Sequence, residues 1–182
     1  RLMYEDKLRK SRKHKHSSIE GIKSNPRLLR KWDPIHAENV ADHAGKIAEK
    51  MGLEPYLQEL VKKAALVHDI GKITIPSKIL NKDASLTQKE LEQIKRHPES
   101  GYQILRSVDE YASVAMIILS HHEWVDGSGY PEKLKGEDIP LASRIIAVAD
   151  SYDAMTSGRI YTDCKTKEEA IQELRACAGS QF

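Results

Sequence analysis

Val114-Ala115-Met116-Ile117-Ile118-Leu119-Ser120-His121-His122 reads as a buried helix that ends in two adjacent imidazoles. Helical spacing of this kind recurs along the chain and strand alternation does not, so the run decides for an all-α fold of helices packed on helices. Adjacent histidines make a poor core, because both rings need polar partners. They make a good metal site, since neutral imidazole ligates zinc, iron and nickel. The chain then continues Glu123-Trp124-Val125-Asp126-Gly127-Ser128-Gly129-Tyr130-Pro131, an irregular Gly/Pro-rich loop with a carboxylate on each side of a Trp-Val pair.

Outward from this stretch, the same pattern repeats. Ala64-Ala65-Leu66-Val67 leads into His68-Asp69, and Ile145-Ile146-Ala147-Val148-Ala149 leads into Asp150. A buried, ionised carboxylate without a partner is very costly, so such a residue calls for a cation. Three helices ending in this way suggest one shared cation site. His36 lies on the same helical face as Val40, and His97 precedes Pro98 at a helix boundary. Either of these alone would more often be a histidine that satisfies a backbone group. His43 reads as a partly exposed helix residue, and His14 and His16 as solvated.

The expected helices follow from caps and stops. Asp33-Pro34 is an N-cap followed by proline at the first helical position, and Gly52 closes that helix. Pro55 opens the next, which carries Leu57, Leu60, Val61, Ala64, Ala65 and Val67 inward. Thr87 with Glu90 and Thr166 with Glu169 are capping boxes. Pro98 opens a helix through Leu105, residues 110–122 form the buried one, and Leu141 to Thr156 another.

Charge divides the chain. Residues 1–31 hold 11 Lys or Arg against 3 Asp or Glu, and residues 32–182 hold 18 against 24. A basic linker or helix at 1–31 therefore precedes an acidic domain at 32–182. The acidic body argues against a nucleic-acid polymer as partner. An acidic pocket still accepts an anionic substrate when bound cations reverse the local field. Cys164 and Cys177 read as reduced thiols of a cytoplasmic protein. No apolar run approaches the roughly 18 residues that span a membrane.

The ordered set His68-Asp69-Ile70-Gly71-Lys72, Arg96-His97-Pro98-Glu99, His121 through Gly129-Tyr130-Pro131, and Asp150-Ser151-Tyr152-Asp153-Ala154 resembles the HD-GYP subgroup of the HD phosphohydrolase superfamily. The resemblance runs from about His36 to Phe182. It implies a compact helical bundle and a bacterial signalling enzyme that hydrolyses cyclic di-GMP to linear pGpG and on to GMP. The metal ligands it implies are His36, His68, Asp69, His97, His121, His122 and Asp150, with Asp69 bridging two ions of iron or manganese; nickel and zinc also suit these ligands. Lys72 would lie beside the reacting phosphate, with Asp69 and Lys72 as the catalytic pair. Tyr130, Pro131, Asp153 and Arg159 would contact the substrate, and Glu123 and Asp126 would orient histidines. A metal pair suits this chemistry, because it generates hydroxide near neutral pH and neutralises the phosphate.

Two departures bear on this. Subgroup members with three metals carry a Glu where this chain has Trp32, so two metals are expected. Thr162 stands where a basic substrate contact is usual. Subgroup domains also continue past Gln181-Phe182 into another helix, so the domain at 32–182 is expected to lack its final one. Leu2-Met3-Tyr4-Glu5-Asp6-Lys7 resembles the last helix of a GGDEF domain, which implies an upstream sensory or GGDEF partner; a homodimer is open. Cleavage of cyclic GMP-AMP and a catalytically silent dinucleotide-binding module are the competing readings.

Overall fold

The computed structural model describes residues 33–157 and 164–182. The basic segment, Trp32, Arg159 and Thr162 lie outside the described residues. Among the described residues every regular element is helical: α1 (Pro34–Lys50), α2 (Pro55–Val67), a 3₁₀ turn (Ile70–Thr74), α3 (Ser77–Leu80), α4 (Gln88–Lys95), α5 (His97–Leu105), α6 (Ala112–Leu119), a second 3₁₀ turn (Gly136–Asp138), α7 (Leu141–Thr156) and α8 (Lys167–Ala176).

Local chemistry sets most boundaries. Asp33 accepts hydrogen bonds from the backbone N–H of Ile35 and His36, satisfying two donors that the first turn of α1 leaves open. Gly52 follows α1 with φ at 70°, a left-handed stop. Both capping boxes form, Thr87 with Glu90 and Thr166 with Glu169.

The helices α1 and α2 pair closely, α7 crosses α1, α2 and α8, and α5 lies against both α6 and the first 3₁₀ turn. Small side chains permit this. Ala44, Ala48, Ala64 and Ala65 are fully buried, and around them pack Val40, Val61, Ile70, Leu105, Val114, Ile118, Ile146 and Ala149. At Gly71 there is no room for a side chain: a Cβ would fall 1.9 Å from the His97 carbonyl oxygen and 2.6 Å from the Gly101 nitrogen. Glycine there lets the turn after His68-Asp69 sit directly on α5.

Three expectations are corrected. The buried helix stops at Leu119, so His121 and His122 lie in the turn beyond it. Asp150 does not end its helix as its grouping with His68-Asp69 and His121-His122 implied; it lies inside α7, which runs from Leu141 to Thr156 as its pattern predicts. Leu57 is 41% exposed: it shares the face of Val61 and Ala64 but sits in the first turn of α2. No described helix is long and apolar enough to cross a membrane.

Candidate metal centre

Three helix endings meet at one place, and a histidine closes each. The Nδ1 of His68 donates to the Ala65 carbonyl at 2.7 Å, that of His97 to the Ile94 carbonyl at 2.8 Å, and that of His121 to the Ile118 carbonyl at 2.5 Å. Each acceptor is three residues back, in the last turn of α2, α4 and α6. A helix end leaves such carbonyls without partners, and a histidine ring satisfies one. In α6 this explains the early stop, because the His121 ring takes the Ile118 carbonyl that a continuing helix would give to the backbone of His122.

The capping bond also fixes the tautomer. With the proton on Nδ1, Nε2 carries the lone pair and turns inward. There the side chains converge. Ligand atoms of His36, His68 and Asp69 lie within 4.8 Å of one another, and so do those of His97, His121 and His122. Asp69 joins the two groups: Oδ2 is 3.5 Å from His68 Nε2, and Oδ1 is 3.3 Å from His97 Nε2. His97 Nε2 and His121 Nε2 are 3.3 Å apart. From α7, Asp150 Oδ1 reaches His36 Nε2 at 3.0 Å and His68 Nε2 at 3.8 Å. All seven residues expected as metal ligands are thus brought together.

This donor set fits divalent metal. His68 Nε2 is buried with no hydrogen-bond partner, an arrangement that costs free energy unless something else is bound there. Five imidazoles and two carboxylates suit iron, manganese, nickel or zinc. Burial, followed by the neighbouring histidines, pushes His121 well below the usual imidazole range. Burial and then His97 lower His122 to about 3, and burial lowers His97. These rings are neutral at pH 7, the form that ligates metal. Burial pushes the Asp69 carboxyl up, but Lys72 and then His68, His97 and His121 outweigh it and hold it well below the usual carboxylate range. Asp150 behaves alike: burial raises it, the His36 hydrogen bond and His68 lower it, and the result is about 2.

Lys72 Nζ sits 2.5 Å from Asp69 Oδ2, on the first 3₁₀ turn. Tyr130 stacks on His122 with ring centroids 4.9 Å apart, and Lys95 covers its ring at 5.2 Å. Burial, then Asp69 and Asp150, raise the Tyr130 phenol, so it stays protonated. The loop that carries Tyr130 is tied down on several sides. Tyr130 N–H donates to the His122 carbonyl, and a Cβ on Gly129 would fall 2.3 Å from the Trp124 nitrogen. The Asp126 N–H donates to the Ser180 carbonyl near the chain's end.

Three expected roles change. The Glu123 carboxylate accepts from the backbone N–H of Glu132 and Leu134, so it braces the loop and holds no histidine. Asp126 is exposed and accepts from Ser128 N–H and Oγ, closing a local turn. Asp153 is only 2% exposed, and its oxygens are taken by His36 Nδ1 at 2.6 Å and Ser157 Oγ at 2.6 Å, which leaves no face for a substrate. Sequence reasoning missed Ser157 and Lys95. The signal for the first was present: Asp150, Asp153 and Ser157 are spaced three and four apart on one face of α7.

A family model described as HD domain matches residues 9–182. The chain is 44% identical over 147 residues to the cyclic di-GMP phosphodiesterase response regulator RpfG of Xanthomonas campestris pv. campestris, covering 80% of this chain and 39% of that protein. It is 40% identical over 149 residues to the 3'3'-cGAMP-specific phosphodiesterase 2 of Vibrio cholerae, covering 81% of this chain and 28% of that protein. The chain therefore spans well under half the length of these relatives. Bd1817, a HDG"Y"P protein from Bdellovibrio bacteriovorus, shares the fold, with a TM-score of 0.67 at 23% identity over 94% of this chain and 58% of that one. With a family match across nearly all its residues, and histidines and aspartates gathered from α1, α7 and three helix endings, the chain belongs to the HD domain family.

Proposed function

We propose that this chain is a metal-dependent phosphodiesterase that hydrolyses cyclic di-GMP to linear pGpG, with two divalent ions held by His36, His68, Asp69, His97, His121, His122 and Asp150. The observation that carries the proposal is the position of Asp69, whose two oxygens face two separate groups of inward-turned ligand atoms. A carboxylate so placed is suited to bridge an ion pair. Such a pair supplies a nucleophilic hydroxide at neutral pH and charge for the phosphate and leaving oxygen.

The chain's own residues do the rest. Buried, neutral imidazoles keep ligand lone pairs available without a proton to displace. Lys72 carries a point charge at the edge of the cluster, where it meets a nonbridging phosphate oxygen. Tyr130 and Pro131 form a wall, braced by Glu123 and stacked on His122, against which a flat base can lie. Iron or manganese is the expected metal.

The resemblance to a 3'3'-cGAMP-specific enzyme supports cyclic GMP-AMP as the second substrate reading. Parallel assays of both dinucleotides with metal-replete protein separate the two: faster pGpG formation supports the first, and faster cleavage of the mixed dinucleotide replaces it.

A further inference from the structure

His36 stands apart from the other ligands in how its ring can be held. His68, His97 and His121 follow helical turns and bond carbonyls three residues behind them. His36 lies in the first turn of α1, and the residue three before it is the N-cap Asp33, so no preceding helical turn offers a carbonyl. Its acceptor must come from elsewhere in the fold, and α7 provides it.

We infer that Asp153, itself fixed by Ser157, is a positioning residue that selects the tautomer and orientation of His36 and thereby sets the affinity of one metal position and not the other. The inference rests on the two-metal reading above. Asp150 and Asp153 lie one turn apart on the same face of α7 and flank the same imidazole: Asp153 Oδ2 accepts from Nδ1 at 2.6 Å, and Asp150 Oδ1 stands 3.0 Å from Nε2, beside the lone pair that would ligate metal. The second Asp153 oxygen accepts from Ser157 Oγ at 2.6 Å, which keeps the carboxylate from rotating away. Asp153 is buried, so the geometry is not shared with solvent.

A carboxylate acceptor differs from the carbonyls that hold the other three rings. It bears full charge, makes the stronger hydrogen bond, and increases the basicity of the ligating nitrogen. His36 is therefore the more strongly donating imidazole of its group. His97, His121 and His122 form the separate group that faces the other oxygen of Asp69, and they act as an internal reference.

The test compares wild type with Asp153→Asn and Ser157→Ala by titrating metal-free protein with Mn²⁺ and reading free ion. In wild type two ions bind. In D153N one dissociation constant rises about 10- to 100-fold, the usual cost of losing a metal ligand's hydrogen-bonding partner, and the other stays within twofold. S157A shifts the same constant in the same direction by less. Two unchanged constants in D153N, or two that rise together, overturn the inference. Should wild type bind fewer than two ions, the two-metal reading fails, and imidazole ¹⁵N shifts of metal-free protein at pH 9 decide the positioning role. The His36 proton then sits on Nδ1 in wild type and moves in part to Nε2 in D153N; identical shifts in both proteins overturn the inference.

Discussion

Asp69 Oδ1 lies 3.3 Å from His97 Nε2, although one residue follows α2 and the other opens α5. Gly71, two residues after Asp69, lies against the His97 backbone with no room for a side chain, and this close packing brings the two residues together. Replacing the carboxylate with an amide keeps the shape but removes the charge and one acceptor. Asp69→Asn is expected to lower phosphodiester turnover by at least about 100-fold, with far-UV circular dichroism unchanged. Turnover within a few-fold of wild type would remove Asp69 from the metal bridge.

Gly71→Ala tests the packing beneath that relationship. The added Cβ meets backbone, the His97 carbonyl and the Gly101 nitrogen, neither of which can rotate aside. The turn at Ile70–Thr74 has to leave α5. Overpacking of this kind costs roughly 1–3 kcal/mol or more, about 2–4 °C in melting temperature per kcal/mol for a domain of this size. An unaltered melting curve in G71A would show that the turn does not bear on α5 as described.

Neighbouring residues of one apolar run should respond in opposite ways. Ile118 is fully buried and Met116 is 49% exposed. Denaturant titration should find about 2–5 kcal/mol lost in Ile118→Ala and close to none in Met116→Ala. Equal losses would mean that α6 presents a different face to the core.

Acid sensitivity follows from the buried imidazoles. The unfolded chain protonates His122 near 6.5, but the folded chain does so only near 3. Between those values the unfolded state binds more protons, so stability is intact above about pH 6.5 and falls as pH drops toward 3. The slope is about 1.4 kcal/mol per pH unit for each such histidine. Metal-free protein should therefore melt progressively lower from pH 7 to pH 5, and His122→Ala should flatten that trend by up to one proton. A pH-independent melting temperature in that range would contradict neutral burial of these rings.

Much of this was legible in the sequence because helix ends announce themselves chemically. Asp33-Pro34, Thr87 with Glu90 and Thr166 with Glu169 are local signals, read from residues a turn apart. His68, Asp69, His121 and His122 stood out as polar groups after apolar runs, and they do converge. What escaped depended on contacts distant along the chain. The pairing of His36 with Asp153 spans 117 residues, and no local pattern distinguishes a carboxylate that faces substrate from one that faces an imidazole. Glu123 shows the same: no local pattern separates a carboxylate that orients a histidine from one whose bonds run 9 and 11 residues forward into the loop. The early end of α6 also required the His121 ring to compete for a backbone carbonyl, which apolar periodicity does not encode.

The most direct measurement of the central proposal is turnover of cyclic di-GMP by anaerobically prepared protein of known metal content, followed by chromatography of the products. Protein loaded with two equivalents of iron or manganese should release linear pGpG, and both a chelator and Asp69→Ala should abolish the release. Metal-replete protein that leaves the dinucleotide intact, or D69A protein that cleaves it as fast as wild type, would contradict the assignment.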